Sequence, residues 1–167
     1  MDEMTEQFRV LTFNGPLEAG VRAVAVLAAA FPAAYDIQRL TAFDYLLVRT
    51  HLLGGPDDLH PSALIQTPAT EVRHKVVQDS LHLMMTRDLI ERVVEDDGIR
   101  YRAGESAAMF LDSLRTPYIE RLKERAAWLV DHLADYDDKA FHTLMRELFD
   151  AWVVEFQHIE SSLGGDP

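Results

Sequence analysis

From Thr70 onward the chain repeats apolar residues at helical spacing, with Val72, Val76, Val77, Leu81, Met84 and Met85 on one stripe. After Arg87 the period falls to two. Leu89 to Glu95 is β-branched and alternating, and Ile99, Tyr101 and Ala103 share one strand face while Arg100 and Arg102 share the other. Asp97-Gly98 between these runs predicts a hairpin closed by a type I′ turn, which needs φ > 0 at both central residues. A helix, a sharp exit and a two-stranded ribbon make up the second half of a winged helix-turn-helix.

The same periodicity predicts helices on either side. Met1 to Thr12 reads as a short lead-in. Phe13-Asn14-Gly15-Pro16 then opens a helix, with Asn14 as cap and Pro16 in the first turn. Leu17, Val21, Val24, Ala28 and Phe31 carry it for roughly four turns, and Pro32 stops it. Asp36 caps a second helix striped by Ile37, Leu40, Phe43, Leu46, Leu47 and Leu53, with Asp44 and His51 beside the stripe. Gly54 to Pro68 is the one long irregular stretch. It has room for a helical turn at Leu59 to Leu64, and Thr67-Pro68 starts the long helix.

Beyond the hairpin, Gly104 marks a boundary, Glu105 to Leu114 is a short helix, and Thr116-Pro117 restarts the chain. Ile119, Leu122, Ala126, Leu129, Leu133 and Tyr136 then form a heptad seam. Asp137-Asp138 caps a last helix striped by Phe141, Met145, Leu148, Trp152, Phe156, Ile159 and Leu163, which completes an antiparallel helical hairpin. Trp128, Val130 and Val153 fall off the seam. The expected fold is mainly α. A winged-helix-like domain with a two-stranded wing covers residues 1–104, and a C-terminal helical hairpin covers 105–167.

Charge complicates the usual use of a wing. The 167 residues carry 16 basic and 28 acidic side chains, a formal −12. The excess is spread over both halves, with 10 basic and 15 acidic residues up to 104 and 6 and 13 after it. Proteins that grip DNA unaided usually show a basic surface, because phosphate contacts supply most of their affinity. The remaining basic candidates for phosphate are Arg73, Lys75 and Arg87 on the long helix and Arg92, Arg100 and Arg102 on the wing. Glu71, Asp79, Asp88, Glu91, Glu95, Asp96 and Asp97 share those elements, so a solvated mixed-charge face is the simpler reading.

Site chemistry is sparse. With no cysteine there are no disulfides, thiolate metal sites or Cys nucleophile, which fits a cytoplasmic protein. The acidic start lacks the basic region of a signal peptide, and no apolar run has the length of a membrane span. The seven histidines are scattered without ligand spacing, so no metal is expected. No phosphate-cradling glycine motif, nucleophile elbow or nucleophile–base set appears, and the expectation is a non-enzyme with no cofactor. Asp44 beside an apolar stripe needs a partner, either a backbone amide or arginine of its own chain or a group on another protein.

Phe13-Asn-Gly-Pro-Leu-Glu-Ala-Gly-Val-Arg, Gln38-Arg-Leu with Phe43-Asp-Tyr-Leu-Leu-Val, and Gly54-Gly-Pro with Leu59-His-Pro together resemble the middle component, second type, of bacterial ABC-type three-component systems. Met85 to Ile90, Tyr101-Arg-Ala and Arg125-Ala-Ala-Trp add to the likeness, which covers most of residues 13–130. The small accessory subunit of Lamassu antiphage systems is related. The resemblance implies a winged-helix accessory protein linking an SMC/Rad50-like coiled-coil ATPase to an effector, often a nuclease. Its expected docking residues are Phe13, Asn14, Pro16, Asp44, Gly54, Gly55, Pro56, Leu59, His60, Pro61 and Trp128. Weighed against docking, the first motif is also a plain helix cap and the loop a plain turn. The runner-up reading is a MarR-like transcriptional regulator, which needs a dimer with a helix in the major groove.

Overall fold

A computed structural model describes residues 15–59 and 70–148, with the side chains of 70–73 excluded. Helix α1 (Pro16–Ala30) lies at the centre of the molecule. Every residue from Ala19 to Leu27 is buried, because α3 and α5 pack along it and α2, β2 and α4 also touch it. A helix apolar on nearly all sides suits such a position. Its cap differs from expectation: Gly15 is the N-cap and makes no side-chain bond, Pro16 occupies the first turn, and Asn14 lies outside the described residues. Leu17 and Phe31, expected to face the core, are exposed at the two ends of the helix among the described residues.

Helix α2 (Ile37–Leu47) starts as expected, with the Asp36 carboxylate accepting from the Arg39 amide at 2.8 Å. It is shorter than its stripe suggested. Leu53 belongs to a separate 3-10 turn, Thr50–Leu53. Helix α3 (Thr70–Met85) is the long amphipathic helix, and it buries Val77, Ser80, Leu81 and Met84. Ser80 satisfies itself by donating to the Val77 carbonyl at 2.7 Å. The sharp exit after Arg87 has a specific geometry. Leu89 N–H donates to the Met84 carbonyl and Asp88 N–H to that of Met85, and Asp88 takes φ 58°. This is a Schellman closure with a left-handed aspartate, sealed by buried Leu89 and Met84.

Strands β1 (Ile90–Glu95) and β2 (Gly98–Ala103) form the antiparallel wing, in register from Ile90↔Ala103 to Glu95↔Gly98. The turn sits one residue earlier than expected. Asp96 and Asp97 are its central residues and both have negative φ, while Gly98, at φ 138°, opens β2. It is therefore not a type I′ turn. Two aspartates cannot adopt left-handed angles as cheaply as glycine, so the one glycine absorbs the reversal. The wing is also tied down by a bond the sequence did not reveal. Tyr35, between α1 and α2, exchanges both backbone hydrogen bonds with Tyr101, at 2.8 and 2.9 Å. Three helices with a strand position between the first two and a wing after the third are compatible with a winged helix. The described residues that follow α2 hold the 3-10 turn Thr50–Leu53.

Helix α4 (Ala107–Ser113) and helix α5 (Pro117–His132) follow. Thr116 caps α5 as expected, accepting from the Ile119 amide. Leu122, Ala126, Leu129 and Leu133 are all buried, and α5 packs along α1 and reaches α2. Residues on both sides of Gly104 thus enter one continuous core. A last helix, α6, spans 138–148 of the described chain and brings in Phe141. Trp152, Val153, Phe156, Ile159 and Leu163, expected on its continuation, lie outside the described residues, as do Leu64 and Thr67-Pro68. Arg39 fastens α6 to α2: it donates to the Tyr136 carbonyl at 3.0 Å, approaches Asp138 at 3.5 Å and lies over the Phe141 ring at 4.6 Å.

Candidate docking surface

The irregular stretch after α2 is braced from several directions. The 3-10 turn closes on Gly54 at φ 73°, whose amide donates to the carbonyls of Thr50 and His51. Gly55 N–H donates to the Thr50 carbonyl at 3.0 Å, and the fully buried Thr50 hydroxyl donates to the Pro56 carbonyl at 2.7 Å. His51 donates from Nδ1 to the Asp58 carboxylate at 2.7 Å, and Arg125 on α5 donates from Nε to the Asp57 carbonyl at 3.2 Å. The Trp128 ring then lies flat against Gly55, so close that a Cβ on Gly55 would stand 2.4 Å from it. Trp128 stacks in turn on His132, with centroids 4.7 Å apart and planes 13° apart.

A loop held this way loses little further entropy when another molecule binds to it. Gly55→Ala is expected to push Trp128 off its seat. The cost should be about 1–3 kcal/mol, as for other overpacking changes, with a shifted Trp128 emission. The emission is read in a Trp152→Phe background, and an unchanged spectrum would show that the ring does not rest there.

Of the expected docking residues, the fold gathers Gly54, Gly55, Pro56 and Trp128 into this one surface. Leu59 is half-buried against the core, and Pro16 is exposed at the start of α1. Phe13, Asn14, His60 and Pro61 lie outside the described residues.

Of the alternatives open to Asp44, the structure shows the arginine of its own chain: it pairs with Arg22 at 2.7 Å, with both side chains only 7% exposed, as a core ion pair. Burial works against the Arg22 charge, but Asp44, Tyr118 and Glu18 outweigh it and hold its pKa above the ordinary arginine value. Around the pair, burial raises the Tyr118 and Glu18 pKa values, and Arg22 opposes both shifts. Thr50, Arg125 and His132 are members of the surface that sequence reasoning did not assign to it. The available signal was helical spacing, since Arg125 lies three residues before Trp128 and His132 four after it.

Two of the basic candidates are ion-paired within the wing. On the wing, Arg102 is ion-paired with Glu91 directly across the ladder. Arg100 is held by Asp97 at 3.1 Å and Glu95 at 3.6 Å. Arg92, Lys75 and Arg87 are exposed, and the Arg73 side chain lies outside the described set. Among the described residues no helix is long and apolar enough to cross a membrane.

The sequence as a whole settles the family. The family model of the ABC-three component (ABC-3C) system Middle Component 2 matches residues 12–155. The chain belongs to this family. No curated protein and no solved structure matches it. The matched span includes the wing, the braced loop and α5, so in this middle component the candidate surface and the core that supports it fall within the region the family model matches.

Proposed function

We propose that this middle component is a non-catalytic accessory subunit of a cytoplasmic complex. In this reading it links an SMC/Rad50-like ABC ATPase to an effector such as a nuclease, in a bacterial antiphage or anti-plasmid defence system of the Lamassu kind. Membership of a multicomponent system carries the reading. The geometry supports it at two points. The loop at Gly54–Asp58 is preorganised and backed by Trp128, and loops positioned by a rigid scaffold are common binding elements. Two of the three wing arginines that would reach DNA are bound to carboxylates of the wing itself.

The test uses Trp128→Asp and Leu59→Asp in the protein co-expressed with the other two components. One of the variants is expected to release a partner by about tenfold or more while keeping the helical circular-dichroism signal. Both variants retaining full assembly would move the docking site elsewhere. Duplex DNA titrated into the isolated chain is expected to give weak binding that fades steeply with salt. Nanomolar, sequence-specific binding abolished by Arg100→Ala and Arg102→Ala would instead favour the transcriptional regulator.

A further inference from the structure

The wing has one closed edge and one open edge. Tyr101 spends its N–H and C=O on Tyr35, away from β1. Backbone groups point to alternate sides along a strand, so the residue opposite Tyr101 in the ladder, Arg92, must also direct its N–H and C=O outward. Val94, two residues on, does the same. Among the described residues no backbone group pairs with that outer edge of β1. Of the usual protections of an exposed edge the strand lacks proline, lysine and a bulge, and its charges, Glu91, Arg92 and Glu95, leave Val93 and Val94 between them.

Side chains on this edge are unsatisfied as well. Val94 is 72% exposed and Ile99, directly across the ladder on the same face, is 45% exposed. Between this apolar tip and the buried Ile90 lies Arg92, exposed and without an ion-pair partner among the described residues, in contrast to Arg100 and Arg102.

We infer that the outer edge of β1 docks an extended segment of another protein by strand addition. That segment carries a carboxylate opposite Arg92 and, two positions away on the same face, a β-branched or aromatic residue opposite Val94. Main-chain hydrogen bonds would supply affinity, and the alternate side chains would supply specificity. A second copy of the chain is a poor occupant. Of the two-fold antiparallel pairings of β1 with itself, the two with the longest overlap are centred on Arg92, which sets Arg92 against Arg92, and on Val93, which sets Glu91 against Glu95, while a register centred on Val94 joins only three strand residues. Like charges directly opposite are destabilising. The inference rests on the subunit reading above but names a different surface and its partner chemistry.

Amide hydrogen exchange on the full chain, free and assembled with the other two components, tests it. The Arg92 and Val94 amides are expected to exchange quickly in the free chain and about tenfold more slowly or less in the assembly. Arg92→Glu is expected to weaken assembly by about tenfold or more with unchanged thermal melting, as befits an exposed side chain. If the assembly forms while both amides stay fast, the inference falls and the subunit reading stands. Slow exchange in the dilute free chain would mean that the chain covers its own edge. Slowing that appears only at high concentration would mean self-pairing, and either result overturns the inference. Failure of any assembly to form removes the subunit reading and the inference together.

Discussion

Asp44→Ala is expected to destabilise the fold by about 3–5 kcal/mol, because it removes the carboxylate bonded to the buried Arg22 guanidinium at 2.7 Å. That is a large share of a typical stability of about 5–15 kcal/mol. At this chain length it corresponds to a fall in Tm of roughly 2–4 °C per kcal/mol. Arg22 sits on the central helix and Asp44 on α2, so the pair also fixes the register of those two helices. The double change Arg22→Met with Asp44→Leu is expected to recover most of the loss, since a well-packed apolar pair is often as stable as a buried ion pair. Chemical denaturation of the two single variants and the double variant closes the cycle. If Asp44→Ala costs less than about 1 kcal/mol, the pair behaves as a surface salt bridge and its placement in the core is wrong.

Phe43→Ala is the second large effect, with an expected cost of about 3–5 kcal/mol for a large aromatic removed from a packed core. The ring is fully buried and meets Tyr35 edge-on at 5.1 Å and Phe141 at 5.6 Å. Arg39 lies over all three rings of this cluster. Tyr35 holds the wing through Tyr101, and Phe141 belongs to α6, so the cavity would loosen both ends of the molecule at once. Hydrogen exchange should therefore accelerate at Tyr101 and along α6 together. Acceleration confined to α2 would mean that the wing and the terminal helix are independent of this core.

The sequence disclosed most of the local structure because local rules governed it. Asp36 and Thr116 are strong caps, and each is found bonded to the amide three residues on. The stripe of Leu122, Ala126, Leu129 and Leu133 was legible as an apolar seam, but periodicity says only that a face is buried, not what buries it. In the fold that face packs along α1 and reaches α2. The Asp97-Gly98 signal found the hairpin and misplaced its turn by one residue, since a lone glycine can serve the turn or the strand that leaves it.

Long-range facts were the hardest to see. Nothing local joins Tyr35 to Tyr101, or Trp128 to Gly55, 73 positions apart in the chain. Glu91 and Arg102 were visible only as a mixed-charge stretch until the register set them opposite each other. The candidate surface was therefore half legible. Its loop showed in the prolines and glycines, while its backing of Arg125, Trp128 and His132 needed the fold to bring α5 to it.

The central claim is that this middle component works by contact with protein and not by chemistry or DNA binding of its own. Expressing the three components of its system together, purifying through this chain and measuring the native mass tests that claim most directly. The expected result is a particle of defined stoichiometry containing all three components, while the chain purified alone neither hydrolyses nucleotide nor forms a specific complex with duplex DNA. A chain that emerges alone from co-expression and binds one duplex sequence at nanomolar concentration would contradict it.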